Sequence, residues 1–91
     1  MEMVNPEHVA QLCPELRKFL DAELAAGNRV VETSTGWPKP QSVFIMLAEP
    51  FKAKPAVMPG NIIFNDVNDS HWWKADYYHE ASGHVLACRM P

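Results

Sequence analysis

The chain has 91 residues, a formal net charge of -3, and 21% charged against 47% hydrophobic residues. That length makes one domain, residues 1–91, whose core takes roughly 60–65% of the unfolded chain's surface out of water. The acidic balance excludes general nucleic-acid binding, which needs a basic footprint to neutralise phosphates, and no apolar run is long enough to span a bilayer.

The opening MEMVNPEH is acidic and lacks the basic and apolar regions of a signal peptide, so the expected location is cytoplasmic. In that reducing compartment Cys13 and Cys88, too few and too far apart for a disulfide framework, are expected to be free and buried. A bridge between them is geometrically open but disfavoured by the compartment.

Asn5-Pro6-Glu7 reads as a helix start: Asn can cap, Pro is pre-organised for the first position, and Glu complements the dipole. Val9 and Leu12 follow on one face. Pro14 then interrupts, because it disfavours helical geometry at Cys13 and cannot donate to Ala10. A short helix to about Leu12 and a second one from Pro14 are therefore expected. In the second, Leu16, Phe19, Leu20 and Leu24 recur at helical spacing, with Arg17, Lys18, Asp21 and Glu23 largely opposite. Gly27-Asn28 ends it, and its apolar stripe has to cover a sheet.

Residues 29–34 are rich in β-branched side chains and read as the first strand. Gly36-Trp37-Pro38-Lys39-Pro40 is a turn and loop stiffened by its prolines. Residues 43–48 are apolar on both faces, with Val43, Ile45 and Leu47 on one and Phe44, Met46 and Ala48 on the other, which suits the middle of a sheet. A long loop over residues 50–60 carries Pro50, Pro55 and Pro59 and is locally basic through Lys52 and Lys54, making it a candidate contact segment. Ile62, Ile63 and Phe64 form a third strand, again apolar on both faces, and residues 65–70 form a polar turn.

The remaining stretch, HWWKADYYHEASGHVLAC over residues 71–88, reads as a hairpin around Glu80-Ala81-Ser82-Gly83. If all four residues are loop, His79 opposes His84 and Lys74 opposes Arg89. If only Ser82-Gly83 is loop, His79 opposes Leu86 and Asp76 opposes Arg89. Opposite charges across a pair are worth roughly 0.2–1 kcal/mol, which favours the tighter loop. Both registers put Trp73, Ala75, Tyr77, His79, His84, Leu86 and Cys88 on the core face. Trp72, Lys74, Asp76, Tyr78, Val85, Ala87 and Arg89 fall on the outer one.

Catalytic and metal motifs are weak. His79-Glu80-x-x-x-His84 has one residue too many for a zinc-protease helix and is broken by Ser82-Gly83. Across a hairpin, His79 and His84 could form half a metal site, with His71 or Asp76 needed to complete it. Asp66-x-Asn68-x-Ser70 lacks the glycine and the bidentate glutamate of a calcium loop. A nucleophile built on Cys88 or Ser82 with His84 and Asp76 has no electropositive setting, and no Gly-rich phosphate loop is present.

The expected fold is α+β: an N-terminal helical segment packed on a four- to five-stranded, mainly antiparallel sheet ending in a hairpin. The expected function is that of a small non-catalytic protein-binding or regulatory module, of a size that suits an inhibitor or immunity protein, with no cofactor. Its contact residues are expected to be Trp37, Trp72, Lys74, Tyr78 and Arg89, an aromatic and cationic sheet face. A second reading is a ligand- or metal-binding domain centred on His79 and His84, with a weak enzymatic role attached. One helical layer covers one side of a sheet, so the apolar second side of strands two and three calls for the 50–59 loop, a protein partner or a second copy, a homodimer being expected.

Overall fold

Pro6 and Pro14 set the boundaries of the helical layer. The computed structural model describes residues 3–66 and 73–89, and in it α1 spans Pro6–Gln11 and α2 spans Pro14–Ala25. Asn5 caps α1 by accepting a hydrogen bond from the Glu7 N–H at 2.9 Å. Cys13 is extended, as the residue before a proline must be. His8 Nδ1 lies 3.0 Å from Thr33 Oγ1, which also accepts from the Asn5 N–H at 2.9 Å, so α1 is tied to the sheet.

Five strands follow: β1 (Val30–Thr35), β2 (Val43–Leu47), β3 (Ile62–Asp66), β4 (Trp73–His79) and β5 (His84–Arg89). Their order in space is β1-β2-β5-β4-β3. β2 and β5 run parallel, and every other pair is antiparallel. The α+β expectation and its element order hold. β2 is buried at every position, as an apolar strand in the sheet interior should be.

The third strand is a correction. β3 lies at an edge, where Ile63 is 43% exposed and Asn65 and Asp66 face water. Beside β2 lies β5, whose Val85, Leu86, Ala87 and Cys88 are all buried. Short apolar runs do not reveal their neighbours, and β5 buries both of its faces more completely than β3. At the other edge, Met3 pairs with β1 by a short parallel bridge, donating to the Val31 carbonyl and accepting from the Thr33 N–H.

α2 is turned differently from its sequence pattern. Leu16 and Leu20 are fully buried as expected, but Leu24 is exposed and Glu23, expected on the polar side, is 1% exposed. The reason is a set of donors that the 3.6-residue period cannot show. The Glu23 carboxylate accepts from the Lys52 N–H, from the Ala53 N–H at 2.7 Å and from Asn28 Nδ2 at 3.0 Å. Asn28 in turn donates to the Glu49 carbonyl and accepts from the N–H groups of Arg29 and Glu49. A buried carboxylate and a buried amide, both satisfied, thus fasten the long loop beneath the end of α2.

That fastening decides which side the loop covers. Phe51 and Met58 pack on the same core as the helices, with Leu16, Leu20, Ile45, Leu47, Tyr77 and Leu86. Lys52 pairs with Glu49 at 3.1 Å, and Lys54 lies over the Phe64 ring, so both basic residues are engaged locally. The opposite side of the sheet has its own cluster of Val31, Phe44, Met46, Val85 and Ala87, every one buried. The outer apolar residues of β2 are therefore out of water within one chain, whereas Ile63 on the edge strand β3 stays 43% exposed.

The hairpin adopts the wider loop, and the preference for the tighter one is overturned. His79 pairs with His84, Tyr78 with Val85 and Tyr77 with Leu86. Local bonds outweigh the charge pairing: Gly83 N–H donates to the His79 carbonyl at 2.8 Å, and Ser82 Oγ lies 2.6 Å from His79 Nδ1 while accepting from the His84 N–H. Gly83 has φ +78°, and an added Cβ would meet Ser42 Oγ at 2.6 Å, so neither the turn nor the packing admits a side chain.

Tyr77 shows the cost of burying a hydroxyl. Its ring stacks on Phe19 at 4.6 Å and packs against Phe51 and Phe64. Its hydroxyl is buried without a hydrogen-bond partner among the described residues. Burial, and secondarily the Glu23 carboxylate, push its ionisation well above the ordinary phenol range. Tyr77→Phe removes that unpaired oxygen and keeps the ring, so it should leave the melting temperature unchanged or raise it, equivalent to ~1 kcal/mol. A clear drop on calorimetry would show that the hydroxyl has a partner.

Candidate functional site

A bulge in β4 rearranges the face on which contact residues were expected. The pairing with β5 shifts between Trp73 and Ala75, leaving Trp73 opposite Arg89 and Lys74 without a partner of its own in β5. Trp73, expected on the helix side, joins the opposite cluster with Phe44. Lys74, expected on the outer face, lines a cleft on the helix side with Phe51, Lys54, Phe64 and Cys88. One inserted residue exchanges the two.

Asp76 is likewise corrected. It lies opposite Ala87, not Arg89, and is buried rather than exposed to water. One carboxylate oxygen accepts from Trp73 Nε1 at 2.9 Å and the other from Asn65 Nδ2 at 2.8 Å. Trp73 is thereby fixed in position by its own strand.

On this support stands an aromatic triad. Trp37, Phe44 and Trp73 meet edge to face in all three combinations, with ring centroids 5.7–5.9 Å apart. Such pairs are worth about 0.5–1.5 kcal/mol each beyond area burial. Phe44 is buried, yet Trp37 remains 53% exposed. The loop that carries Trp37 is closed by Lys39 N–H donating to Ser42 Oγ at 2.9 Å and Gly36 N–H donating to the Ser42 carbonyl at 3.1 Å. Ser42 abuts Gly83 at the hairpin tip. The indole is therefore held from beneath by rings and from the side by a pinned loop.

Beside it lies a hollow of about 260 Å³ lined by Trp37, Pro38, Tyr78, Val85, Asp76 and Asn65. Of the expected contact residues, Trp37 and Tyr78 come together here. Lys74 is on the other side of the sheet, Arg89 is exposed at the end of β5, and Trp72 lies outside the described residues. Pro38, Asn65, Asp76 and Val85 also line the hollow and were not among the expected contact residues. Val85 was visible as a neighbour of Tyr78 in the wider register, but the approach of the 36–42 loop to this face had no local signal.

The histidines part company as well. His84 Nδ1 accepts the Cys13 N–H at 3.0 Å, tying the start of α2 to β5. Burial lowers its basicity below the ordinary imidazole range, with a hydrogen bond involving the Gln41 backbone acting in the opposite direction. His79 instead faces Glu15, with Nε2 3.7 Å from Oε2. Both cysteines are free and buried, and burial pushes the Cys88 thiol up.

Among the described residues no helix is long and apolar enough to cross a membrane. Comparison with protein-family models, curated proteins and solved structures gives no match. The fold and the hollow define the class: a small α+β protein that presents a supported aromatic surface.

Proposed function

We propose that this protein is a non-catalytic binding module that captures a protein partner by taking one apolar side chain into the hollow between Trp37 and Tyr78. The observation that carries this reading is an indole 53% exposed yet backed by two other aromatic rings. A large apolar surface that is already rigid loses little entropy when it is covered, which is the property of interface anchor residues. The hollow's volume suits one aliphatic or proline side chain, and Asn65 at its rim offers an exposed amide for the partner's backbone. Regulation of that partner by occlusion, in the cytoplasm, is the biological role that follows.

Panning a random peptide display library on the protein tests this. Enriched peptides should share an apolar anchor, and their affinity should fall at least about 30-fold on Trp37→Ala, the hot-spot threshold of ~2 kcal/mol. The melting temperature of Trp37→Ala should fall far less than that of a core variant, because half of the indole is already in water. Failure to enrich peptides, or peptides that bind Trp37→Ala as tightly as the parent, would remove this reading.

A further inference from the structure

A second constellation lies at the other end of the molecule, where the first turn of α2 meets the hairpin. Cys13 precedes α2, Glu15 stands in its first turn, and His79 ends β4. The Cys13 Sγ, one Glu15 carboxylate oxygen and one His79 ring nitrogen all lie within 4.8 Å of one another. We propose that these three side chains form a zinc site.

The donor set fits a borderline-soft divalent ion. Thiolate, imidazole and carboxylate are the three protein ligand types of zinc, at about 2.3, 2.0–2.1 and 2.0–2.2 Å. Around a tetrahedral ion those lengths place donors roughly 3.3–3.6 Å apart. His79 Nε2 and Glu15 Oε2 are already 3.7 Å apart. The other donor separations, all within 4.8 Å, need to close by at most an ångström or so, and Glu15, whose side chain is 42% exposed, is free to adjust to an ion held by Cys13 and His79.

Both buried ligands are pre-positioned from behind. The Cys13 backbone N–H is held by His84 Nδ1 at 3.0 Å. His79 Nδ1 lies 2.6 Å from Ser82 Oγ, and in its Nδ1–H tautomer the ring donates there and keeps the Nε2 lone pair, 3.7 Å from Glu15 Oε2, available to an ion. A hydrogen bond to the far ring nitrogen is the usual support for a metal-bound histidine. Binding replaces the Cys13 S–H bond with a sulfur–zinc bond and releases that proton to solvent. Glu15, the most exposed of the three ligands, also lines a groove of about 300 Å³ with Lys18, Phe19, Val57 and Ile62, and three protein ligands would leave a tetrahedral ion one further position. Three protein ligands with one open position is the arrangement of a zinc ion that can accept a ligand.

The test uses the full chain, reduced, stripped with chelator, and titrated with zinc and with cobalt as its spectroscopic surrogate. One equivalent should bind, and the cobalt form should show a thiolate charge-transfer band that vanishes in Cys13→Ala and persists in Cys88→Ala. Glu15→Gln changes an exposed side chain and keeps the fold, and it should weaken zinc at least about tenfold. Cys13→Ala and His79→Ala should each weaken it by about a hundredfold, since even groups that only support a ligand account for 10–100-fold. Cobalt bound without a thiolate band, no binding at one equivalent, or equal affinity in the parent and Glu15→Gln would each overturn the proposal.

Discussion

Glu23→Ala is expected to lower stability by about 3 kcal/mol, because three donors lose their acceptor at roughly 1 kcal/mol each. Those donors are the Lys52 and Ala53 N–H groups and Asn28 Nδ2. For a domain of this size that is a fall in melting temperature of roughly 12–24 °C. The loss should be visible locally too, as faster hydrogen exchange at the Lys52 and Ala53 amides, since the loop is released from α2. Glu23→Gln should fall between the two, because one amide oxygen can still accept while the amide nitrogen meets backbone N–H groups as a second donor. A melting temperature within about 3 °C of the parent would mean that the carboxylate is not what fastens the loop.

Phe44→Ala should cost at least as much, about 3–5 kcal/mol, as for other buried aromatic rings replaced by alanine. Phe44 is buried in β2 and contacts both exposed-side tryptophans edge to face. Its loss should therefore also weaken binding of any peptide selected at the hollow, by removing the backing of Trp37. Phe44→Leu restores most of the buried volume without the ring, so denaturant unfolding should recover more than binding does. Equal recovery of both would show that Trp37 is positioned by its loop alone. Together with Trp37→Ala, which leaves the core intact, these variants separate the integrity of the fold from the presentation of the surface.

Much of the architecture was legible in the chain because it rests on local physics. Asn5-Pro6 and Pro14 mark helix starts by capping and by fixed φ, and neither depends on what packs nearby. The unbroken apolar run in residues 43–48 marks a strand buried on both faces. The run around Gly83 requires a hairpin loop whatever its register.

The site was legible only in part, and the failures share a cause. Trp37 and Tyr78 could be picked as large amphipathic side chains, but that they border one hollow depends on the 36–42 loop folding against the hairpin tip. A one-residue bulge moved Trp73 and Lys74 to opposite faces, and no residue in that stretch signals it. Glu23 looked like a solvent-facing charge because the donors that justify its burial come from Lys52 and Ala53, about 30 positions away. Cys13, Glu15 and His79 were each visible, but only the docking of α2 on the hairpin brings them within reach of one ion.

By itself, then, the order of residues determined the elements, the starts of the helices and most of the apolar positions that had to be buried, since propensity, capping and periodicity act within a few residues. The tertiary structure alone decided that β5 sits between β2 and β4, that β3 is an edge, and which polar side chains go inside. Those choices are made by partners far apart along the chain: a buried carboxylate is tolerated only where three donors converge on it, and a strand takes the sheet interior only when both its faces find cover.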